Sequence, residues 1–310
     1  MMSTEQLLTA FWLRPETALW RAIDIDAMRD FKFAGRSLDL GCGDGTFSFV
    51  RAGGKFNKDF DVFQHVGKLD QFFANVDVFD TYDEKKHISN PVLKRSDYEI
   101  SVGFDQKQNL LSKASRLGLY QELKIGDANN KLPFATSSFD TIFSNIIYWL
   151  DHPAFAFSEI HRVLDNNGKA GLMLPNTTLQ NYTLSSFFCE KKSGQFKDML
   201  TLLDRGRVSE NIKHAKSQSD WFNLLEAAGL KVVHHSNHLV EPIIRIWDVG
   251  LRPLFPLLMR MTNSMEEKEK NFVKEEWVEL FGKIIEPLLE LELQSADKTN
   301  AAFHFIVVEK

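Results

Sequence analysis

The segment LDLGCGDGTF, residues 38–47, contains three glycines at alternate positions directly after a short apolar run. Glycine lets a backbone turn sharply and lets a ligand approach where a side chain would collide. The apolar residues before the glycines predict a buried strand over 36–41, and the residues after them predict a helix over about 46–52. This stretch therefore predicts a strand, tight turn and helix unit that can present its backbone to a nucleotide-like ligand.

The pattern of this turn separates the classes of ligand that it could hold. A dinucleotide fingerprint has a third glycine where this chain has Thr46, and no phosphate-loop pattern of glycine, four residues and Gly-Lys-Ser/Thr occurs. Asp39 precedes the first glycine and Asp44 lies inside the turn. Two acids would repel a pyrophosphate and suit a cationic ligand. A strand-to-helix turn with no ligand is the alternative.

Strand-like and helix-like segments alternate through most of the chain. This alternation predicts an α/β fold with a doubly wound, Rossmann-like sheet. The further predicted strands are 98–104, 122–125, 139–144, 169–174, 231–238 and 302–308, and the predicted helices between them are 106–116, 153–164 and 219–228.

Four stretches do not fit the alternation and define the predicted domain organisation. Residues 1–34 form a helical cap around an amphipathic helix over 15–30, and the core spans 35–240 and 300–310. Two insertions, 55–97 and 176–217, interrupt that core. The third, 241–299, has apolar residues at three- and four-residue steps beside a charged face, which predicts helices.

Composition restricts the function classes. The chain has 310 residues and a formal charge of −5, so it lacks the positive field of a general nucleic-acid binder, and no nucleic-acid partner is predicted. Its two cysteines, Cys42 and Cys189, do not form a metal-ligand pattern, and a reducing, cytoplasmic location follows as an expectation. No run of 18 residues is free of charge, so no transmembrane segment is predicted.

The sequence resembles the class I S-adenosylmethionine-dependent methyltransferases of the small-molecule type over residues 38–176, and again near 231–238 and 302–308. The resemblance implies S-adenosylmethionine as the cofactor and a mostly parallel sheet whose last strand is antiparallel. The segments that carry it are DLGCGDG at 39–45, VGFDQ at 102–106, GDA at 126–128, LPF at 132–134, SFD at 138–140 and HRVL at 161–164 with Asn167-Gly168.

The same resemblance implies roles for single residues at the cofactor. Asp105 would accept hydrogen bonds from the ribose hydroxyls, Asp127 would accept one from the adenine amino group, the Ala128 N–H would donate to the ring, and Asp39 would complement the ammonium group directly or through water. Asp105 and Asp127 could instead be helix-cap or turn residues. The complete implied set is Asp39, Gly41, Gly43, Gly45, Asp105, Gln106, Asp127, Ala128 and Asn145.

Catalytic residues are harder to assign. Methyl transfer from a sulfonium is an in-line displacement that positioning and exclusion of water can promote, so a general base is optional. The proline-containing motif of nucleobase amino methyltransferases is absent after residue 144, and Trp149 stands where many small-molecule members have histidine. Tyr148 and His152 are the weak candidates, and packing and helix-start roles are their alternatives. The prediction is methylation of a small molecule, with oxygen favoured as the commonest acceptor atom.

Two segments bear on the acceptor. Residues 55–97 contain seven aromatic residues, which could line a pocket for an apolar or ring-containing acceptor or form a small core of their own. Segment 243–261 mixes arginines with large apolar residues, so contact with a membrane surface or lipid-linked acceptor competes with packing as a lid or between domains. Prolines 253 and 256 favour lid or interdomain packing because they interrupt an amphipathic helix. A nicotinamide-dependent oxidoreductase and a non-catalytic cofactor-binding protein are the alternative functions.

Overall fold

A seven-stranded sheet forms the centre of the computed structural model, which describes residues 2–63, 90–183, 194–195, 198 and 207–310. Its strands are β1 Ser37–Leu40, β4 Ile100–Asp105, β5 Tyr120–Ile125, β6 Phe139–Ser144, β7 Leu164–Pro175, β8 Lys231–His238 and β9 Phe303–Glu309, and a separate antiparallel pair is formed by β2 Lys55–Phe56 and β3 Val92–Lys94. The spatial order in the seven-stranded sheet is β5-β4-β1-β6-β7-β9-β8, and β9 is antiparallel to both of its neighbours while the other strands are parallel. The predicted doubly wound sheet with an antiparallel last strand is confirmed.

Helices connect the strands close to the predicted positions. The predicted helix over 15–30 corresponds to α2, while α1 was not predicted; its Leu7 and Leu8 are fully buried. The helices are α1 Met2–Ala10, α2 Pro15–Ala27, α3 Thr46–Arg51, α4 Gln108–Ala114, α5 Pro153–Val163, α6 Leu179–Tyr182, α7 Arg207–His214, α8 Gln218–Ala227, α9 Glu241–Arg245, α10 Leu254–Thr262 and α11 Glu267–Gln294.

The two faces of the sheet are covered by different helices because side chains alternate along each strand. On one face, Met28 at the end of α2 packs with Phe143 of β6 and Phe305 of β9. On the other face, helices α5 and α8 bury Phe157 and Trp221 against the sheet. The parallel strands therefore have a shared carboxyl edge, and the chain segments that follow β1, β4, β5, β6 and β7 all begin there.

The insertion 241–299 leaves this edge after β8 and returns to it before β9. Between α9 and α10 the chain forms a π-helical turn, Ile246–Leu251. Trp247 in that turn packs on Trp20 of α2, with ring centroids 4.7 Å apart. Segment 243–261 buries most of its large apolar side chains, so packing rather than a membrane-facing surface accounts for them. Pro256 lies inside α10 rather than breaking it, because the first turn of a helix tolerates a residue without an N–H.

The described part of insertion 55–97 also packs inward. The Phe56 ring stacks on the Phe60 ring with centroids 4.1 Å apart, and Phe63 packs against Phe11 and Phe255. These three rings join the core formed by α1, α2 and the third insertion, so they do not line a pocket. The other predicted pocket aromatics, Phe72, Phe73, Phe79 and Tyr82, lie outside the described residues.

A buried ion pair stabilises the π-helical turn. The Arg252 guanidinium donates to Asp248 over 2.5 Å and lies 4.8 Å above the Trp247 ring, and both charged side chains are almost fully buried. Breaking one half of such a pair strands a charge in a medium of low dielectric constant. The pair therefore tightens the attachment of the insertion to α2.

We expect Asp248→Ala to lower the free energy of unfolding by about 2–3 kcal/mol, because the guanidinium loses a charged hydrogen-bond partner in a buried place. Glu241→Ala is the matched control, since Arg245–Glu241 has the same four-residue spacing but is about half exposed. That control should cost about 1 kcal/mol or less. Urea unfolding of both variants is the measurement, and equal losses would contradict the assignment.

Candidate functional site

The glycine turn between β1 and α3 crosses the carboxyl end of β4. All three glycines have positive φ angles, +83° at Gly41, +57° at Gly43 and +75° at Gly45, a region that L side chains rarely adopt. The N–H groups of Gly41 and Cys42 both donate to the carbonyl oxygen of Phe104, at 2.8 and 3.1 Å. The turn is therefore fixed to the neighbouring strand by main-chain bonds.

The surroundings of the three glycines differ. A Cβ at Gly41 would lie 2.3 Å from the Ile146 side chain, and one at Gly45 would lie 3.0 Å from the Tyr120 ring. A Cβ at Gly43 would meet no atom within 4 Å. Gly41 and Gly45 are thus needed for packing inside the protein, whereas Gly43 faces open space, as a backbone that accepts a ligand closely must do.

Asp105, at the end of β4, is bound to this turn. One carboxylate oxygen accepts the Gly43 N–H at 3.0 Å, and the other accepts the Lys107 N–H at 2.9 Å. Burial raises the pKa of Asp105, and the two backbone hydrogen bonds oppose that effect. Asp105 is therefore a turn residue, which was the alternative to a cofactor-binding role. It also lies beside Gly43, whose Cβ position faces open space. Gln106, the next residue, is exposed.

The loop after β5 contains Asp127 and Ala128. One oxygen of Asp127 accepts from the Asn129 N–H at 2.8 Å and its amide group at 3.1 Å, and the other accepts from the Asn130 amide group at 3.2 Å. The carboxylate therefore closes its own turn, as an aspartate in an Asx turn does. Ala128 is buried, and Asn145, at the end of β6, is half-buried.

Helix α5 holds this loop in place. Arg162 donates to the carbonyl oxygens of Phe134 and Leu132, and Glu159 accepts the Leu132 N–H at 2.7 Å. The two side chains also bond to each other, which lowers the pKa of Glu159 and raises that of Arg162. Arg162 of the HRVL segment therefore holds the loop after β5 against helix α5.

Asp39 lies beneath the turn rather than in the open space. Only 2% of its surface is exposed, and its Oδ2 accepts hydrogen bonds from Ser48 Oγ at 2.6 Å and from the Tyr120 hydroxyl at 2.7 Å. The role expected for Asp39, complementing the ammonium group directly or through water, stays a prediction, and in this structure its carboxylate is bound by protein donors. Sequence analysis missed Ser48 and Tyr120, since neither belongs to a motif and only the fold brings them to Asp39.

The structure separates the two catalytic candidates. Tyr148 is buried, with its ring 5.9 Å from that of Phe303, and His152 is exposed immediately before α5. Both positions agree with the packing and helix-start alternatives. Burial and the nearby carboxylates raise the pKa of the Cys42 thiol in the turn, so the thiol stays protonated.

Comparison with protein families gives one match. Residues 88–172 match a family model described as a methyltransferase domain. A search of curated proteins finds no match.

Three solved structures are similar to most of the chain. An S-adenosylmethionine-dependent methyltransferase from Mesorhizobium loti is 14% identical, with 94% of this chain and 100% of that chain covered and a TM-score of 0.46. The cyclase SpnF is 14% identical, with 95% and 81% covered and a TM-score of 0.46. The plantazolicin methyltransferase BamL, in complex with a substrate analogue and S-adenosylhomocysteine, is 11% identical, with 96% and 84% covered and a TM-score of 0.43. Likeness this distant carries no argument about the acceptor.

Among the described residues, none of the helices has the length and the apolar composition that a membrane span requires.

A pair of glycine substitutions isolates the role of the open position. Gly43 and Gly118 have φ angles of +57° and +61°, and a Cβ at either one would meet no neighbour within 4 Å. Gly118 precedes β5 at the opposite end of the parallel strands. Alanine should therefore cost a similar strain at both, about 1–2 kcal/mol of unfolding free energy.

Only Gly43→Ala should weaken the binding of S-adenosylhomocysteine, by about tenfold or more, because only that methyl group occupies the approach of a ligand. Isothermal titration calorimetry on both variants is the measurement. Equal affinities for the two would remove Gly43 from the site.

Proposed function

We propose that this chain is a class I S-adenosylmethionine-dependent methyltransferase that methylates a small-molecule acceptor, with oxygen favoured over other acceptor atoms. The observation that carries the proposal is the open backbone at Gly43 beside the Asp105 carboxylate. S-adenosylmethionine supplies the electrophilic methyl group when bound. The residues of this chain bind and orient the two reactants and exclude water from them.

Cofactor contacts are assigned to the residues that surround the carboxyl ends of the first strands. Asp105 keeps acceptor capacity for ribose hydroxyls, because each of its oxygens accepts one backbone hydrogen bond and can accept a second. The proposed cofactor-binding set is Asp39, Gly41, Gly43, Gly45, Asp105, Gln106, Asp127, Ala128 and Asn145. In this set Asp39 acts from beneath the turn, and Gly41 and Gly45 act through packing.

Charge and coverage of the sheet edge support a small acceptor. A formal charge of −5 disfavours a nucleic-acid substrate. The segments after β6, β7 and β8 gather at the carboxyl edge, where Asn176 bonds to the carbonyl oxygen of Ala301 at 2.9 Å and closes the end of the third insertion. Trp149 lies at the same edge and is 39% exposed, so its ring offers a surface for a ring-containing acceptor.

Acceptor chemistry follows from the positions of the catalytic candidates. Within the described ranges, neither Tyr148 nor His152 has a side-chain hydrogen bond that would orient it as a base. The oxygen of a phenol or a carboxylic acid loses its proton without a positioned base, so such an acceptor needs no proton transfer to Tyr148 or His152. We therefore favour such an acceptor over an alcohol, whose proton would need a positioned base.

Cofactor selectivity is the first test. At one hundred times its dissociation constant, a ligand stabilises the native state by about 2.7 kcal/mol. S-adenosylhomocysteine should therefore raise the melting temperature measurably, and NADH should leave it unchanged. The reverse result would favour the oxidoreductase alternative.

Acceptor class is the second test. With S-adenosylmethionine present, we expect release of S-adenosylhomocysteine to depend on an added phenol or carboxylic acid and not on added RNA. Asp105→Ala is the control for cofactor-dependent turnover. Methyl incorporation into RNA alone would reject the small-molecule proposal, and cofactor binding without turnover on any acceptor would favour the non-catalytic alternative.

A further inference from the structure

Tyr120 connects three elements around the glycine turn. It is the first residue of β5, and its hydroxyl donates to Asp39 in β1 although β4 lies between the two strands. Ser48 of α3 donates to the same carboxylate oxygen. Asp39 and Ser48 lie on opposite sides of the turn in the chain. The Ser48 bond therefore joins the two ends of the turn to each other at Asp39, and the Tyr120 bond joins Asp39 to β5.

Two glycines make room for the Tyr120 ring. A Cβ at Gly103 of β4 would lie 2.9 Å from that ring, and a Cβ at Gly45 would lie 3.0 Å from it. Real Cβ atoms seldom come that close, and the ring is held between neighbours that give it little freedom to move. Gly45 of the turn and Gly103 of the VGFDQ segment are therefore both needed for the same reason, because the Tyr120 side chain passes across β4.

The charges around Asp39 make the two hydroxyls important. Burial raises the pKa of Asp39, and the bonds from Ser48 and Tyr120 oppose that rise. Arg51 of α3 also lowers the pKa of Asp39, whereas Asp105 of β4 raises it. The Cys42 thiol and the Tyr98 phenol interact with the same carboxylate, and burial raises the pKa of each. Tyr120 itself has a pKa well above its ordinary value, so it remains a donor.

We propose that Tyr120 is a positioning residue of the cofactor site, which acts through Asp39 to hold the glycine turn ready for the cofactor and to keep a negative charge beneath it. This inference rests on the proposed function. It names a residue outside every motif of the turn. A purely structural tyrosine would stabilise the fold without altering how cofactor affinity depends on pH.

The test compares hydroxyl deletions. In Tyr120→Phe the ring stays and the hydroxyl is lost, and we expect S-adenosylhomocysteine to bind roughly tenfold more weakly. Loss of that bond should raise the pKa of Asp39 further, so the fall in affinity on acidification should begin at a higher pH than in the wild type. Ser48→Ala removes the other donor and should act in the same direction. Calorimetry across a pH series measures both effects.

Two further variants identify the route. Tyr182→Phe deletes a hydroxyl that donates to the carbonyl oxygen of Asn300, away from the turn, and should leave affinity and pH profile unchanged. In an Asp39→Asn background, Tyr120→Phe should alter affinity much less than it does alone, because the charge through which it acts is gone.

Wild-type affinity and pH profile in Tyr120→Phe, with only stability reduced, would overturn the positioning role. Failure of the wild-type protein to bind S-adenosylhomocysteine would instead reject the proposed function, and the positioning role with it. If Tyr120→Phe weakened the binding of S-adenosylhomocysteine as much in the Asp39→Asn background as in the wild type, the route through Asp39 would be rejected.

Discussion

The hydrogen bond from the Gly43 N–H to the Asp105 carboxylate fixes the geometry on which the site depends. It joins the turn after β1 to the end of β4 at Gly43, the glycine of the three in this turn whose Cβ position faces open space. A charge-assisted bond of this kind is roughly twice as strong as a neutral one. The other carboxylate oxygen holds the residue that leads into α4, so a single side chain aligns both segments that face the ligand.

Burial of Asp39 beneath the turn carries a desolvation cost that its partners must offset. A carboxylate without hydrogen bonds in such a place would take up a proton, and the charge would be lost. Two hydroxyl donors and the nearby guanidinium of Arg51 oppose that outcome. The carboxylate that sequence analysis placed near the ammonium group of the ligand, directly or through water, thus lies beneath the turn. A negative charge at this place would suit a cationic ligand better than a pyrophosphate.

Local sequence predicted the elements whose pattern is complete within one segment. The runs at 139–144 and 231–238 were predicted at their observed bounds. Helix α1 was missed because Leu7 and Leu8 are buried by α11 and α3, which lie far from α1 in the chain. Tyr120 and Ser48 were missed for the same reason, as their partner is 81 and 9 residues away in the chain. The glycines were predicted correctly as a turn, but only the packing distinguishes Gly43 from Gly41 and Gly45.

The packing at Gly41 joins the cofactor side of the site to the acceptor side. Ile146, which follows β6, occupies the space that a Cβ at Gly41 would need. The preceding residue of that loop is Asn145, and before it the Ser144 hydroxyl donates to the carbonyl oxygen of Leu40 at 2.9 Å. The segment that continues to Trp149 is therefore seated directly on the glycine turn. Because packed side chains shift together rather than independently, a displacement of the turn on cofactor binding would also move the segment that leads to Trp149.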